Sequence, residues 1–218
     1  MSPRQGTVPC LRPLGGVPVE FKKSELRETI ESIAGSVITI LFIMIFLCQS
    51  YKVDGSSMEP TLLHNQRLLV DKITYRFRLP RTGEIIVFKY PRDPEKKFIK
   101  RVIAVEGQDI SIYDGQVKVN GLVLVEDYIK ETTDGKIEWT TIPVDSLFVM
   151  GDNRNRSMDS RDMESVGYVP LANVIGRAVV VYWPPRAARI LRRPDYQKSR
   201  NQGNSVSSGY AYPPPASP

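Results

Sequence analysis

The sequence predicts a mostly β protein: an antiparallel β-sheet domain preceded by one N-terminal transmembrane helix. Residues 33–51, "IAGSVITILFIMIFLCQSY", carry no charge. About 19 helical residues, at about 1.5 Å each, roughly span the hydrocarbon core of a bilayer. From residue 52 onward the chain changes to short runs rich in Val, Ile, Phe and Tyr, cut by Gly, Pro, Asn and Asp, which is the texture of strands joined by turns. No stretch there keeps a helical period long enough for a sizeable helix. At 218 residues there is room for one ordinary domain with extensions.

Residues 1–32 are expected to be a largely disordered, cytoplasmic tail. The first 20 are Pro- and Gly-containing without periodicity, whereas "FKKSELRETIES" sets charges at helical spacing and leads into the apolar run. An uncleaved anchor suits residues 33–51 better than a cleaved signal, because the preceding region is long and no small-x-small site follows. Leu47 before Cys48 is also too large for lipoprotein processing, and a buried core helix is the remaining alternative. Lys22, Lys23 and Arg27 on one side, against Lys52 and Arg67 on the other, favour a cytoplasmic N-terminus only slightly. Residues 52–185 supply the strands "RLLVDKITY", "EIIVFKY", "FIKRVIAVEG", "DISIYDGQVKVNG", "SLFVMGDN" and "VIGRAVVVYW". "YDGQ" marks a two-residue hairpin turn. Residues 91–97 read as a loop, 126–146 as irregular strand and loop, and 107–145 as a small inserted sub-region. In 186–218, "RAARILRR" is a solvated basic end or a membrane-surface contact, and the stretch from Asp195 is Ser-, Gly-, Pro- and Tyr-rich and expected to be disordered.

A net charge of +6 and a pI near 9.3 could serve nucleic acid, but the basic residues are scattered and no nucleic-acid motif accompanies them. No nucleic-acid partner is expected; an anionic membrane surface suits the charge equally well. Cys10 and Cys48 both lie outside the expected domain, so no disulfide framework follows. One histidine and no cysteine within the domain exclude the usual zinc sets. Neither metal nor cofactor is expected.

Three stretches could carry chemistry. "VDGSSMEPTL" (53–62) offers Ser56 and Ser57, but a serine hydroxyl needs a base to become a nucleophile. His64, the chain's single histidine, follows Ser57 by an odd separation that would put it on the opposite face of an extended segment. It reads as a turn residue. In "FIKRVIAV", period two puts Phe98, Lys100, Val102 and Ala104 on one face and Ile99, Arg101, Ile103 and Val105 on the other. Each face is apolar but for one cation, so the strand is expected to be buried on both sides. A buried lysine loses pKa, here to between ~8 and ~9, and can act as a general base; the alternative is a lysine that reaches to the strand edge. The third stretch, "MGDNRNRSMDSRDMESVGYV" (150–169), follows an apolar strand and alternates hydroxyl, carboxylate and guanidinium groups able to satisfy one another.

Taken together, "SMEPTL" (57–62), "FIKRVIAVEGQ" (98–108) and "GDNRNRSMDSR" (151–161), in this order behind an apolar helix, resemble signal peptidase I. That family is the S26-type, membrane-bound serine protease that removes signal peptides from exported preproteins. The resemblance covers roughly residues 33–183 and implies the antiparallel β fold of the signal peptidase/LexA-like type. It makes Ser57 the nucleophile and Lys100 the general base, with Ser157 positioning the lysine amine. Asp159 and Arg161, with Arg101, fall on the ionic scaffold behind the site, and Asp152 and Asn153 open the same loop. The family cleaves after A-x-A-like small residues; Val53, Met58, Leu62, Leu68, Phe98 and Ile99 align with its two shallow apolar pockets, and the substrate would lie extended beside strand edges near 52–54 and 98–100. The resemblance further implies a single-pass protein of the cytoplasmic or a thylakoid membrane with its domain on the extracytoplasmic side. It acts as a monomer on preproteins, with the lipid bilayer as its setting and the protein export machinery as a candidate partner.

This sequence departs from the family at Gly55, two residues before the nucleophile, where some members carry a serine of the oxyanion hole. Met58 follows the nucleophile as expected. The 107–145 segment is short beside members with a large inserted domain. Two rival readings remain: a LexA-type Ser/Lys self-cleaving protein, which would need a DNA-binding helical domain where the apolar run stands, and an inactive membrane-anchored β binding module, which would be favoured if Ser57 or Lys100 were replaced.

Overall fold

The computed structural model describes residues 23–194 and Tyr196. The expected disorder of residues 1–22, of Asp195 and of residues 197–218 lies outside the described residues. The chain divides into two units, residues 1–43 and 44–218. Helix α1 (Lys23–Leu47), most of which belongs to the first, carries an Arg27–Glu31 pair one turn apart at 2.8 Å. Ser36 and Thr39 donate their hydroxyls back to the carbonyls of Ser32 and Gly35, which satisfies these polar groups within the helix. Among the described residues no helix is long and apolar enough to cross a membrane.

The helix stops at Leu47, short of the expected boundary at residue 51. Cys48–Lys52 instead forms β1, paired residue by residue with β2 (Arg67–Asp71) from Cys48↔Asp71 to Lys52↔Arg67. Main-chain pairing wins over the absence of charge in "CQSY", a feature that helix and strand share. A one-turn α2 (Thr74–Phe77) follows, then β3 (Ile85–Tyr90) and the long β4 (Asp93–Val105). The loop expected at 91–97 shrinks to the tight Tyr90↔Asp93 turn, and residues from Asp93 onward are strand. Their charged side chains stay in water while the backbone pairs with β3, and Pro94 is tolerated where one edge is open.

The chain continues through β5 (Asp109–Tyr113), β6 (Gln116–Val119), β7 (Leu122–Val123) and β8 (Ile137–Thr141). The hairpin expected at "YDGQ" is present: Tyr113 pairs with Gln116, and Asp114 and Gly115 both take positive φ, as a type I′ turn requires. These strands form a four-stranded sheet in the order β7-β6-β5-β8. Ile110, Ile112, Val117, Val119 and Ile142 share one apolar cluster with Ile103, Ala104, Phe148 and Met150 of the main sheet. The 107–145 segment, expected as a small inserted sub-region, forms a second layer on a core it shares with the main sheet.

Strands β9 (Ser146–Met150), β10 (Val169–Pro170), β11 (Val174–Trp183) and β12 (Arg189–Ile190) complete the main sheet, ordered β1-β2-β11-β3-β4-β9-β10 with β12 beside β11. Every strand pairing is antiparallel. The domain does not end at residue 185. Strand β12 pairs Val180↔Ile190 and Val181↔Arg189, and Leu191 packs against the core. Tyr196 closes this segment with a hydrogen bond to Tyr128 at 2.8 Å. Main-chain pairing and one packed leucine, with Ile190 left exposed, dock what reads in sequence as a basic tail.

Candidate active site

Ser57 stands in the loop between β1 and β2. Val53, Met58 and Leu62 hold that loop down by burying themselves with Leu68, Val70 and Val181 in one cluster, and the Val53 N–H donates to the Gln66 carbonyl at 2.8 Å. Lys100 lies at the centre of β4, 5% exposed, with its Nζ 2.7 Å from the Ser57 Oγ. The amine is 5.4 Å from the centre of the Phe98 ring. Burial is the largest influence on it and lowers its pKa to about 8; Asp159 and Asp152 oppose the shift and Arg161 adds to it. This is the lower end of the expected range, and desolvation is the cause anticipated. A protonated Lys100 donates to Oγ; once neutral, its lone pair can accept the hydroxyl proton along the same line.

His64 is not placed to serve as base. Its Nδ1 accepts the Gly55 N–H at 3.1 Å and lies 3.5 Å from the exposed Asp54 carboxylate. The turn reading of this residue stands, with the added detail that it caps the loop ahead of Ser57.

The third stretch wraps behind these two groups. Asn153 donates its backbone N–H to the Ser57 carbonyl at 3.0 Å and its side-chain amide to the Ser56 carbonyl at 3.1 Å. Gly151 passes so close to the Ser57 carbonyl and the Ser157 hydroxyl that a Cβ would overlap both. The scaffold expected to join Asp159, Arg161 and Arg101 is in fact two separate pairs. Arg101 holds Asp152 through Nε at 2.8 Å and a second nitrogen at 2.6 Å, both side chains fully buried. It also donates to the Gly83 carbonyl at 2.9 Å and stacks 3.9 Å from the Tyr128 ring centre. Arg161 holds Asp159 at 2.9 and 3.0 Å, and Asp159 in turn accepts the Gly151 N–H at 3.0 Å.

One expectation is corrected. Ser157 does not bond the Lys100 amine: its hydroxyl is buried beside Gly151 without a hydrogen-bond partner among the described residues, and the amine is turned to Ser57. The expected pocket group also divides. Val53, Met58, Leu62, Leu68 and Ile99 belong to one cluster, whereas Phe98 packs on another face against Phe88 and stacks on Tyr90 at 4.7 Å. Alternation along β4 puts neighbours on opposite faces, so Phe98 and Ile99 fall on different clusters, which leaves room for the two separate pockets expected.

Sequence reading missed Arg154. Its guanidinium is buried and donates to Glu126, to Thr133 Oγ1 at 2.6 Å and to the Gly151 carbonyl at 3.1 Å. Glu126 and Thr133 come from the segment between β7 and β8, too far along the chain for any spacing rule to pair them with the 151–161 loop.

Comparison with known proteins shows the family of the chain. The family model described as "Signal peptidase, peptidase S26" matches residues 26–183. The chain belongs to this signal peptidase family. A signal peptidase I of Leptolyngbya laminosa is 43% identical over 169 residues, covering 74% of this chain and 81% of that protein. A probable signal peptidase I-2 of Synechocystis is 39% identical over 173 residues, covering 77% and 76%. A probable chloroplastic thylakoidal processing peptidase of Arabidopsis thaliana is 38% identical over 146 residues, covering 64% of this chain and 39% of its own length. As a member of the S26 signal peptidases, the protein is a serine endopeptidase acting in signal peptide removal. The two rival readings, a LexA-type self-cleaving protein and an inactive binding module, lose their ground.

Proposed function

We propose that this signal peptidase cuts with a Ser57–Lys100 dyad and no metal or cofactor. The observation that carries the reading is the 2.7 Å contact between a buried, pKa-lowered lysine and a loop serine. Neutral Lys100 takes the Ser57 proton as Oγ attacks the scissile carbonyl. The resulting ammonium protonates the leaving amine as the peptide C–N bond breaks, leaving an acyl-serine. Lys100 then deprotonates a water that attacks the ester, and its proton returns to Ser57 as the product acid departs. Arg101–Asp152 and Arg161–Asp159 hold the surrounding backbone.

The substrate lies as an added strand. β1 is an edge of the main sheet, and β4 pairs with β3 along 97–101 while its pairing with β9 begins only at Arg101. Val53 keeps its own N–H and C=O for Gln66 and Asn65, so the flanking main-chain groups of Lys52 and Asp54, with those near 98–100, are the ones that would meet an extended peptide. The floor beside them, built from Val53, Met58, Leu62, Leu68 and Ile99, favours small side chains of the A-x-A kind.

The uncharged run within α1 anchors the protein in the membrane, with the domain on the extracytoplasmic face. The relatives named from cyanobacteria and from a chloroplast support a membrane setting, cytoplasmic or thylakoid. The enzyme acts as a monomer on signal-peptide-bearing preproteins. The deciding experiment is cleavage of a labelled preprotein in detergent by wild type, Ser57→Ala, Lys100→Ala and His64→Ala. The first two substitutions should abolish cleavage and the third should keep most of it; a dead His64→Ala protein with Lys100→Ala still active would overturn the dyad.

A further inference from the structure

Acyl transfer needs a donor aimed at the oxygen that becomes negative in the transition state. Gly55 offers no side chain for this, and a Cβ built there would meet nothing within 4 Å. Among the described residues, no group accepts the Ser57 backbone N–H. That N–H belongs to the Ser56–Ser57 peptide, which is not among the cis bonds of the chain. In a planar trans peptide the C=O and N–H point in opposite directions, so fixing the carbonyl fixes the donor.

The Ser56 carbonyl is gripped twice, by the Asn153 side-chain amide at 3.1 Å and by the Glu59 N–H at 3.1 Å. The next carbonyl, that of Ser57, takes the Asn153 backbone N–H at 3.0 Å. One residue thus clamps the peptide planes on both sides of the nucleophile. It sits next to Asp152, which the buried Arg101 pair immobilises.

We propose that Asn153 is a positioning residue that aims the Ser57 N–H at the developing oxyanion, in a site where no side chain at position 55 can do so. This rests on Ser57 being the nucleophile. Losing the side-chain bond leaves the Ser56 carbonyl with the Glu59 N–H alone and lets the peptide rock. A misdirection of an ångström costs about 100-fold in rate, and loss of a whole oxyanion donor about 100- to 1,000-fold.

The test uses the full chain in detergent, with Asn153→Ala, which removes the amide and keeps the backbone N–H, and Asn153→Asp, which keeps the shape but cannot donate when ionised. Both should lower kcat about 10- to 100-fold, with KM within about twofold and the alkaline rising limb of the rate unmoved. A peptide aldehyde ending in A-x-Ala, which forms a tetrahedral adduct with a serine, should lose affinity by about the same factor as kcat. Asn153→Asp carries the test if Asn153→Ala does not fold. A kcat within twofold of wild type, or a loss accompanied by a shifted pH limb or an unchanged aldehyde affinity, overturns the proposal. Ser57→Ala is run alongside: cleavage surviving in it would sink the nucleophile assignment itself, a separate outcome.

Discussion

An ammonium on Lys100 would face Phe98 and a buried strand instead of water, and this one fact governs both reactivity and stability. The lowered pKa of about 8 sets the rising limb of the saturated rate near pH ~8, since the neutral fraction grows from below that value to above it. Lys100→Arg keeps the charge, cannot deprotonate, and should be inactive at every pH assayed. The same shift acts on folding. Below about pH 8 the amine is charged in both folded and unfolded chains and its burial is unfavourable; above the ordinary value of 10.5 it is neutral in both. Stability from this group therefore rises with pH between those limits, by about 3 kcal/mol for the whole shift. Lys100→Met should be dead yet more resistant to urea than wild type at pH 7, and the advantage should shrink by pH 10. Equal advantage at both values would show that the lysine is not buried as a charge. Ser57, Lys100, Asp152, Asp159 and Arg161 were all visible in the sequence as chemical types. Their pairing was not, because Arg101 could reach Asp159 or Asp152 equally well on paper.

Strand β4 shows where period-two reasoning holds and where it breaks. Phe98 and Ile99 separate to opposite clusters as alternation requires. Ile103 and Ala104 do not: both enter one cluster, because the pairing of β4 with β9 slips between Val102 and Ala104. Such a bulge adds a residue to one strand and resets which side chain faces inward. The loop after β9 is tied to the rest by buried charge. Removing one partner of a fully buried, doubly bonded pair leaves the other uncompensated, at about 3–5 kcal/mol. Asp152→Ala should lose stability on that scale, read as a drop in the urea midpoint at constant slope, and should also weaken cleavage because Asn153 is its neighbour. Gly151→Ala should fold poorly or cleave slowly even though it adds one methyl, since the Ser57 carbonyl and Ser157 occupy that space.

For the molecule as a whole, the division at residue 43 and the start of β1 at Cys48 indicate where the chain can be cut. Deletion of residues 1–47 should leave a folded domain that cleaves peptides in detergent with little change but, on the anchoring proposed for α1, processes membrane-held preproteins less well, because enzyme and substrate no longer share one bilayer. Cutting at residue 50 would strip half of an edge strand. At the other end, truncation before β12 should lower the melting temperature measurably, because it removes the Val180↔Ile190 pairing, the Leu191 contact and the Tyr128–Tyr196 bond. An unchanged melting temperature would return residues 186–196 to the status of a tail.

The sequence by itself determined the β class, the hairpin at Asp114–Gly115 and the family, and it singled out the serine and lysine that the structure brings to 2.7 Å. Each of these rests on local pattern: alternation, turn chemistry, and short motifs whose residues are neighbours in the chain. Only the tertiary structure decided the end of α1, the extent of β4, the docking of Arg189, Ile190, Leu191 and Tyr196, and the partners of Arg101 and Arg154. Those depend on main-chain pairing and on buried charge between residues that are not neighbours in the chain, 51 apart for Arg101 and Asp152 and 28 apart for Arg154 and Glu126, where many partners are chemically equivalent until packing brings one of them within reach.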